Sequence, residues 1–162
     1  MTSPGSIPDR FEKIVQTHPD RLAIKHKNRS VTYDELNKAA NRIGGGILKA
    51  LGSGNEPVAT LLPNGVGSIA CFLGLLKADK SVVAIDPSFP LQRIDYILKD
   101  TAARLIVTDD VNFNVAKSLS GDSRILCDIG ELGDDCAGHN LGCEISGDSS
   151  GMISYTSGST GD

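Results

Sequence analysis

A chain of 162 residues has the length of one ordinary domain and does not hold two complete ones. Hydrophobic residues at 40% and charged residues at 22% exclude wholesale disorder, and 18 glycines without a repeat period exclude a fibrous chain. Sixteen basic against 20 acidic residues give a formal net charge of -4, with no basic stripe, which argues against nucleic acid as a partner.

The first ten residues contain no apolar core of a secretory signal. The apolar run from Gly65 to Ala78 is interrupted by Ser68 and ends in Lys77. Neither a signal peptide nor a membrane span is expected, and the expected location is cytoplasmic. Cys71, Cys127, Cys136 and Cys143 are then expected as reduced thiols, since a chain of this size needs no disulfide staples.

Ser6 can cap a first helix with Ile7, Phe11, Ile14 and Val15 as its apolar face, and His18-Pro19 ends it. Arg21 to His26 reads as a short strand, followed by a polar turn over Lys27 to Ser30. Thr32 and Glu35 form a capping box ahead of Leu36, Ala40, Ile43, Ile47 and Leu51, which repeat at helical spacing. Gly44-Gly45-Gly46 interrupts that pattern at about 1 kcal/mol per glycine relative to alanine. The expected reason is close helix packing, with a glycine ligand cradle as the alternative.

Pro57 to Leu62 reads as a strand, Pro63-Asn64-Gly65 as a turn, and Val66 to Ala78 as a helix apolar around much of its circumference. Ser81 to Ile85 is the next strand, Leu91, Ile94 and Leu98 mark a helix, and Leu105 to Val107 is a strand. Asn112 to Leu119 is helical, Ile125 to Cys127 strand-like, and Met152 to Tyr155 extended. Short apolar strands alternating with helices specify an α/β fold with a mostly parallel sheet covered on both faces. The stretch 120–150, with six glycines and many acidic residues, is expected as a surface excursion.

The last strand feeds Thr156-Ser157-Gly158-Ser159-Thr160-Gly161. Such a run lets backbone N–H groups and hydroxyls converge on an anion without Cβ obstruction, so phosphate binding is one reading and an ordinary terminal loop the other. A P-loop is excluded, because no lysine follows Gly161. A dinucleotide fingerprint also fails on spacing.

Tyr155 to Gly161, YTSGSTG, resembles the phosphate-binding loop of the ATP-dependent adenylate-forming enzymes, which include acyl-CoA ligases and nonribosomal peptide synthetase adenylation domains. Thr32-Tyr33-Asp34-Glu35-Leu36 resembles that family's early T-Y-x-E-L motif. The stretch from Leu76-Lys77-Ala78 through Ile85-Asp86-Pro87 to Pro90 and Arg93 resembles its L-K-A-G-x-A-Y-V-P-I-D-P-x-x-P-x-x-R region. Asp79, Val82 and Ala84 depart from that pattern, where glycine, tyrosine and proline are usual. In the family the loop continues through a variable residue to Pro-Lys-Gly. Asp162 takes the variable position and the sequence then ends, so 1–162 is expected to be an amino-terminal piece of such a domain, with the loop at 155–161 and no activity by itself.

The resemblance implies activation of a carboxylic acid, most closely an amino acid, by ATP with Mg²⁺, giving an acyl-adenylate and pyrophosphate. Transfer to a thiol follows, either phosphopantetheine on a carrier protein or CoA. Thr156, Ser157, Gly158, Ser159, Thr160 and Gly161 would contact the triphosphate, and no residue of the chain is expected as a covalent or acid-base catalyst. An acyl-CoA ligase or fatty-acyl adenylating enzyme is the alternative within the family, and a noncatalytic phosphate-binding α/β protein the alternative outside it.

Cys127, Cys136, His139 and Cys143 carry metal-ligand chemistry, but their irregular spacing in an acidic, glycine-rich stretch points to incidental thiols and no metal. Asp86 is expected to accept local backbone hydrogen bonds at a strand exit, and Arg93 to face solvent or pair with a carboxylate.

Overall fold

The computed structural model describes residues 5–155. Its elements in chain order are α1 (Ile7–Thr17), β1 (Leu22–His26), β2 (Arg29–Thr32), α2 (Tyr33–Leu51), β3 (Pro57–Leu61), α3 (Val66–Lys77), β4 (Ser81–Ile85), α4 (Leu91–Asp100), β5 (Leu105–Thr108), α5 (Phe113–Ser120), β6 (Ile125–Asp128) and β7 (Met152–Ile153). β1 and β2 form an antiparallel hairpin, and the other strands build a parallel sheet in the order β6-β5-β3-β4-β7. Among the described residues no helix is long and apolar enough to cross a membrane.

Two helices start where the side chains can close a reciprocal cap. Ser6 Oγ accepts from the Asp9 N–H while Asp9 accepts from the Ser6 N–H. Thr32 and Glu35 repeat the arrangement at α2, satisfying donors that the first helical turn would otherwise leave unpaired. Not every apolar residue of α1 is used, however. Val15 is buried, whereas Ile7 is 60% and Ile14 is 42% exposed.

Alternation along the strands assigns each side chain to one face. Val58, Val82, Leu105 and Val107 pack with α2 and α3 in one apolar cluster. Ala59, Leu61, Val83, Ile85 and Ile106 pack beneath α4 and α5 in the other. Because both faces are covered, the strands read as continuous apolar runs.

The glycine run of α2 is unbroken helix, and close packing explains it. A Cβ on Gly44 would lie 2.6 Å from the Gly74 carbonyl oxygen of α3, and one on Gly74 would lie 2.6 Å from the Ala40 oxygen of α2. The same run admits the chain that follows β6: a Cβ on Gly45 would meet Cys136 Sγ at 3.0 Å, and one on Gly46 would meet Leu132 Cδ2 at 2.5 Å. Within the stretch expected as a surface excursion, 125–128 thus form an edge strand and 132–141 lie along α2. Asn140 Oδ1 accepts there from Asn37 Nδ2 at 3.0 Å and Asn41 Nδ2 at 2.9 Å.

Two lysines of the α3–β4 connection are buried. Lys77 pairs with Glu12 of α1 and also donates to Asn140 Oδ1 at 3.2 Å. Burial pulls its pKa below the ordinary lysine value, and the Glu12 carboxylate opposes that. Lys80 is 1% exposed and donates to the Gly52 and Gly54 carbonyls, at 2.7 and 2.6 Å, and to Glu56. Between them, Asp79 closes α3 in the left-handed region at φ 53°. That geometry explains why glycine is usual at this position in the resembled family, and Asn55 supports the aspartate by donating to its carbonyl at 3.1 Å.

Gly74→Ala is expected to destabilise the protein by about 1 to 3 kcal/mol, because backbone atoms leave the new methyl no room. Gly147→Ala, with nothing within 4 Å of its Cβ, should change stability by less than about 0.5 kcal/mol. Urea denaturation of both variants measures the contrast.

Glu56 generates a pH prediction. The hydrogen bond from Lys80 holds its carboxyl below the ordinary value of 4.5 against the opposing effect of burial. A carboxylate with a lowered folded pKa stabilises fully above its unfolded value, and that stability is lost as pH falls through the folded value. Glu56→Gln should therefore cost stability at neutral pH, about 3 kcal/mol for unpairing a buried lysine, and the gap from wild type should narrow below pH 4.5 in urea titrations.

Candidate functional site

All five strands of the main sheet run the same way, so their carboxyl ends meet at one edge, the side on which parallel α/β sheets bind ligands. β3 ends there in Pro63-Asn64-Gly65 and β4 in Asp86-Pro87-Ser88. Between them lies an open cleft of about 490 Å³ bounded by Thr60, Asn64, Ser68, Phe72, Asp86 and Ser88. The exposed Ala84 marks the place where α3 stops covering β4.

The polar groups at this edge are tied into turns. Gly65 N–H donates to Ser68 Oγ at 3.0 Å, and the same hydroxyl donates to the Gly65 carbonyl at 2.9 Å. Thr108 Oγ1 donates to the Leu61 carbonyl at 3.3 Å and links β5 to β3. Asp109 Oδ1 accepts from the backbone and side chain of Asn112, at 3.0 and 2.7 Å, where α5 begins. Asp86 Oδ1 accepts from the Ser88 N–H at 2.8 Å, the local role expected of it. Hydrogen bonding by Ser88, first its backbone and then its side chain, holds the Asp86 carboxyl below the ordinary aspartate value. Arg93 stacks its guanidinium 4.3 Å from the centre of the Phe89 ring, a contact that the sequence did not suggest.

β7 carries the chain toward this edge. Met152 pairs with Val82 and Ile153 with Val83, two residues short of the end of β4. The start of β7 is clamped: Ser81 Oγ donates to the Ser150 carbonyl at 2.8 Å, Asn55 Nδ2 donates to the same carbonyl at 3.2 Å, and the Ser150 N–H donates to Asn55 Oδ1 at 3.1 Å. Beyond β7, the Tyr155 hydroxyl donates to Asp100 Oδ2. Thr156, Ser157, Gly158, Ser159, Thr160 and Gly161, the expected triphosphate contacts, lie outside the described residues.

The four cysteines are free thiols. Cys136 packs over Gly45 of α2, while Cys127 lies half-buried in β6. Among the described residues no three His, Cys, Asp or Glu side chains are grouped to hold a metal ion. Burial pushes the Cys71 thiol up to about 12, with Cys127 adding to the shift, so Cys71 has no nucleophilic use near neutral pH.

A parallel sheet covered by helices on both faces and open at its carboxyl edge is a frame on which α/β proteins bind ligands. The sequence profile of the AMP-binding enzymes matches residues 11–162, and the chain belongs to that family. It is 35% identical over 157 residues to surfactin synthase subunit 2 of Bacillus subtilis (strain 168), covering 93% of this chain and 4% of that protein. With the dimodular nonribosomal peptide synthase of the same organism it shares 29% over 163 residues, covering 96% of this chain and 7% of the other. The solved N-terminal subdomain of Klebsiella oxytoca NpsA, in complex with 3-hydroxybenzoyl-AMSN, superimposes with a TM-score of 0.81 at 26% identity over 96% of this chain and 39% of that one. The chain therefore spans a small part of the curated relatives it matches, and its α/β architecture is that of the amino-terminal subdomain of adenylate-forming enzymes.

The turn at Asp86 can be checked by NMR titration. Its carboxyl should titrate below the ordinary value of 3.8, and Ser88→Pro, which removes both the N–H donor and the hydroxyl, should move the midpoint upward.

Proposed function

We propose that this chain is the triphosphate-handling part of an enzyme that activates an amino acid as its adenylate. A carboxylate oxygen attacks the α-phosphorus of ATP, the bond from that phosphorus to the bridging oxygen of the β-phosphate breaks, and pyrophosphate leaves. The aminoacyl-adenylate then yields its acyl group to a thiol, forming a thioester and releasing AMP. Likeness to the dimodular nonribosomal peptide synthase favours phosphopantetheine on a carrier-protein domain as that thiol, over CoA.

The observation that carries this reading is the family match over 11–162, which includes the whole of Thr156–Gly161. These residues bind the β- and γ-phosphates through backbone N–H groups and hydroxyls, and their contacts strengthen as the leaving pyrophosphate gains charge. Mg²⁺ bound with ATP would supply charge neutralisation on the triphosphate oxygens beside these contacts. The chain's contribution is electrostatic, and none of its side chains is assigned a covalent or acid-base step.

Thr160→Val keeps the β-branched shape and removes one hydroxyl donor. In the complete protein, amino-acid-dependent ATP–pyrophosphate exchange should fall by about 10- to 1,000-fold, the range set by about 1.4 kcal/mol per tenfold change for one lost transition-state donor. Intact folding and amino-acid affinity should accompany the loss. Unchanged exchange and unchanged ATP affinity in this variant would refute the assigned role.

A further inference from the structure

Tyr155 is held from three sides before the hydroxyl-rich segment begins. Its ring is partly buried against the apolar cluster beneath α4 and α5. It meets Tyr96 of α4 edge to face, with centroids 6.4 Å apart and planes at 83°. Its hydroxyl donates to Asp100, the last residue of α4.

Both partners on α4 sit against local preference. A carboxylate at a helix carboxyl end faces the negative pole of the helix dipole, and no helix-stabilising role explains Asp100 there. Tyr96 is 60% exposed, so burial does not explain its ring. Residues that break a local rule identify contacts that the wider structure uses, and here both converge on the residue preceding Thr156. Among the described residues β7 is two residues long and pairs with β4. The clamp at Ser150 fixes where β7 begins, and Tyr155 with its α4 contacts stands at its exit.

We propose that Asp100 and Tyr96 are positioning residues that act through Tyr155 to fix the exit of β7, and with it the geometry from which Thr156–Gly161 reach the triphosphate. The inference rests on the reading of that segment as the triphosphate loop. Desolvation, and next the hydrogen bond to Asp100, push the Tyr155 hydroxyl up to about 12. It therefore remains a neutral donor to a carboxylate across the working pH range, a charge-assisted bond stronger than a neutral pair.

The experiment is ATP–pyrophosphate exchange in the complete protein, with ATP and the amino acid varied separately. Tyr155→Phe deletes only the donor, Asp100→Ala removes the acceptor, and Asp100→Asn retains one. Tyr155→Phe and Asp100→Ala should each lower kcat/KM for ATP by about 10- to 100-fold, the scale of a misplacement near 1 Å. KM for the amino acid should stay within about twofold and the thermal midpoint should remain that of wild type. The double variant should be no worse than the worse single one, since both remove one contact, and Asp100→Asn should recover most of the loss.

Wild-type kinetics in Tyr155→Phe, additive losses, or equal losses for ATP and amino acid with a lowered melting temperature would each overturn the proposal. Thr160→Val separates the two ideas. If Thr160→Val exchanges normally, the loop reading fails and takes this inference with it; if it is impaired while Tyr155→Phe is not, only the tether fails.

Discussion

The backbone-to-backbone crossing of α2 and α3 at Gly44 and Gly74 sets the arrangement of everything on that side of the sheet. With side-chain carbons 2.6 Å from the opposing carbonyl oxygens, no other residue fits without moving one helix. The cost is a helix with three consecutive glycines, each weaker than alanine by about 1 kcal/mol. Burial of Ile43 and Ile47 against the strands offsets it: full burial of such a side chain contributes about 1.5 to 3 kcal/mol. Because α3 lies so close, its carboxyl end places Lys77 beneath α1 and Lys80 at the base of β4. The 132–141 segment uses the other glycines of the same run to lie along α2.

The two ends of the sheet are built differently. At the amino ends of β3, β4 and β7, polar groups are paired inside the protein: Lys80 with Glu56 and two carbonyls, Asn55 with Asp79 and Ser150, Ser81 with Ser150. Lys80, a buried charge satisfied in this way, resists rearrangement, because breaking its pair would leave it desolvated and unpaired. At the carboxyl ends, the polar groups make short turns around an open cleft of about 490 Å³. The rigid end fixes strand register, and the open end is the one from which a ligand can be approached.

Much of the fold was legible because its local signals are strong. Ser6 caps α1 and the Thr32–Glu35 pair caps α2 as expected, and the apolar runs at Pro57, Ser81 and Leu105 are the central strands. Periodicity overstated the buried face of α1, because Ile7 and Ile14 have the right spacing yet stay exposed. It gave no warning of Lys77 and Lys80, whose burial depends on Glu12 and Glu56, residues 65 and 24 positions away. The departure at Asp79 was visible as a mismatch with a family motif, but its meaning required a backbone angle: φ 53° needs a residue that tolerates the left-handed region. The triphosphate role proposed for Thr156–Gly161 rests on residue type and resemblance, while the contact of Tyr155 with Asp100 spans 55 positions and carries no sequence period.

Those long-range contacts explain how so short a final strand can be placed. Two ladder positions join β7 to β4, and side-chain contacts hold each of its ends. The Asn55–Ser81–Ser150 cluster holds the first, with hydrogen bonds of 2.8 to 3.2 Å that belong to the rigid amino edge. The Tyr155 ring and hydroxyl hold the second against α4, on the opposite face from the α2–α3 crossing. The backbone that leaves β7 is thus referenced to both layers of the fold, so several individually weak contacts act together to fix its direction.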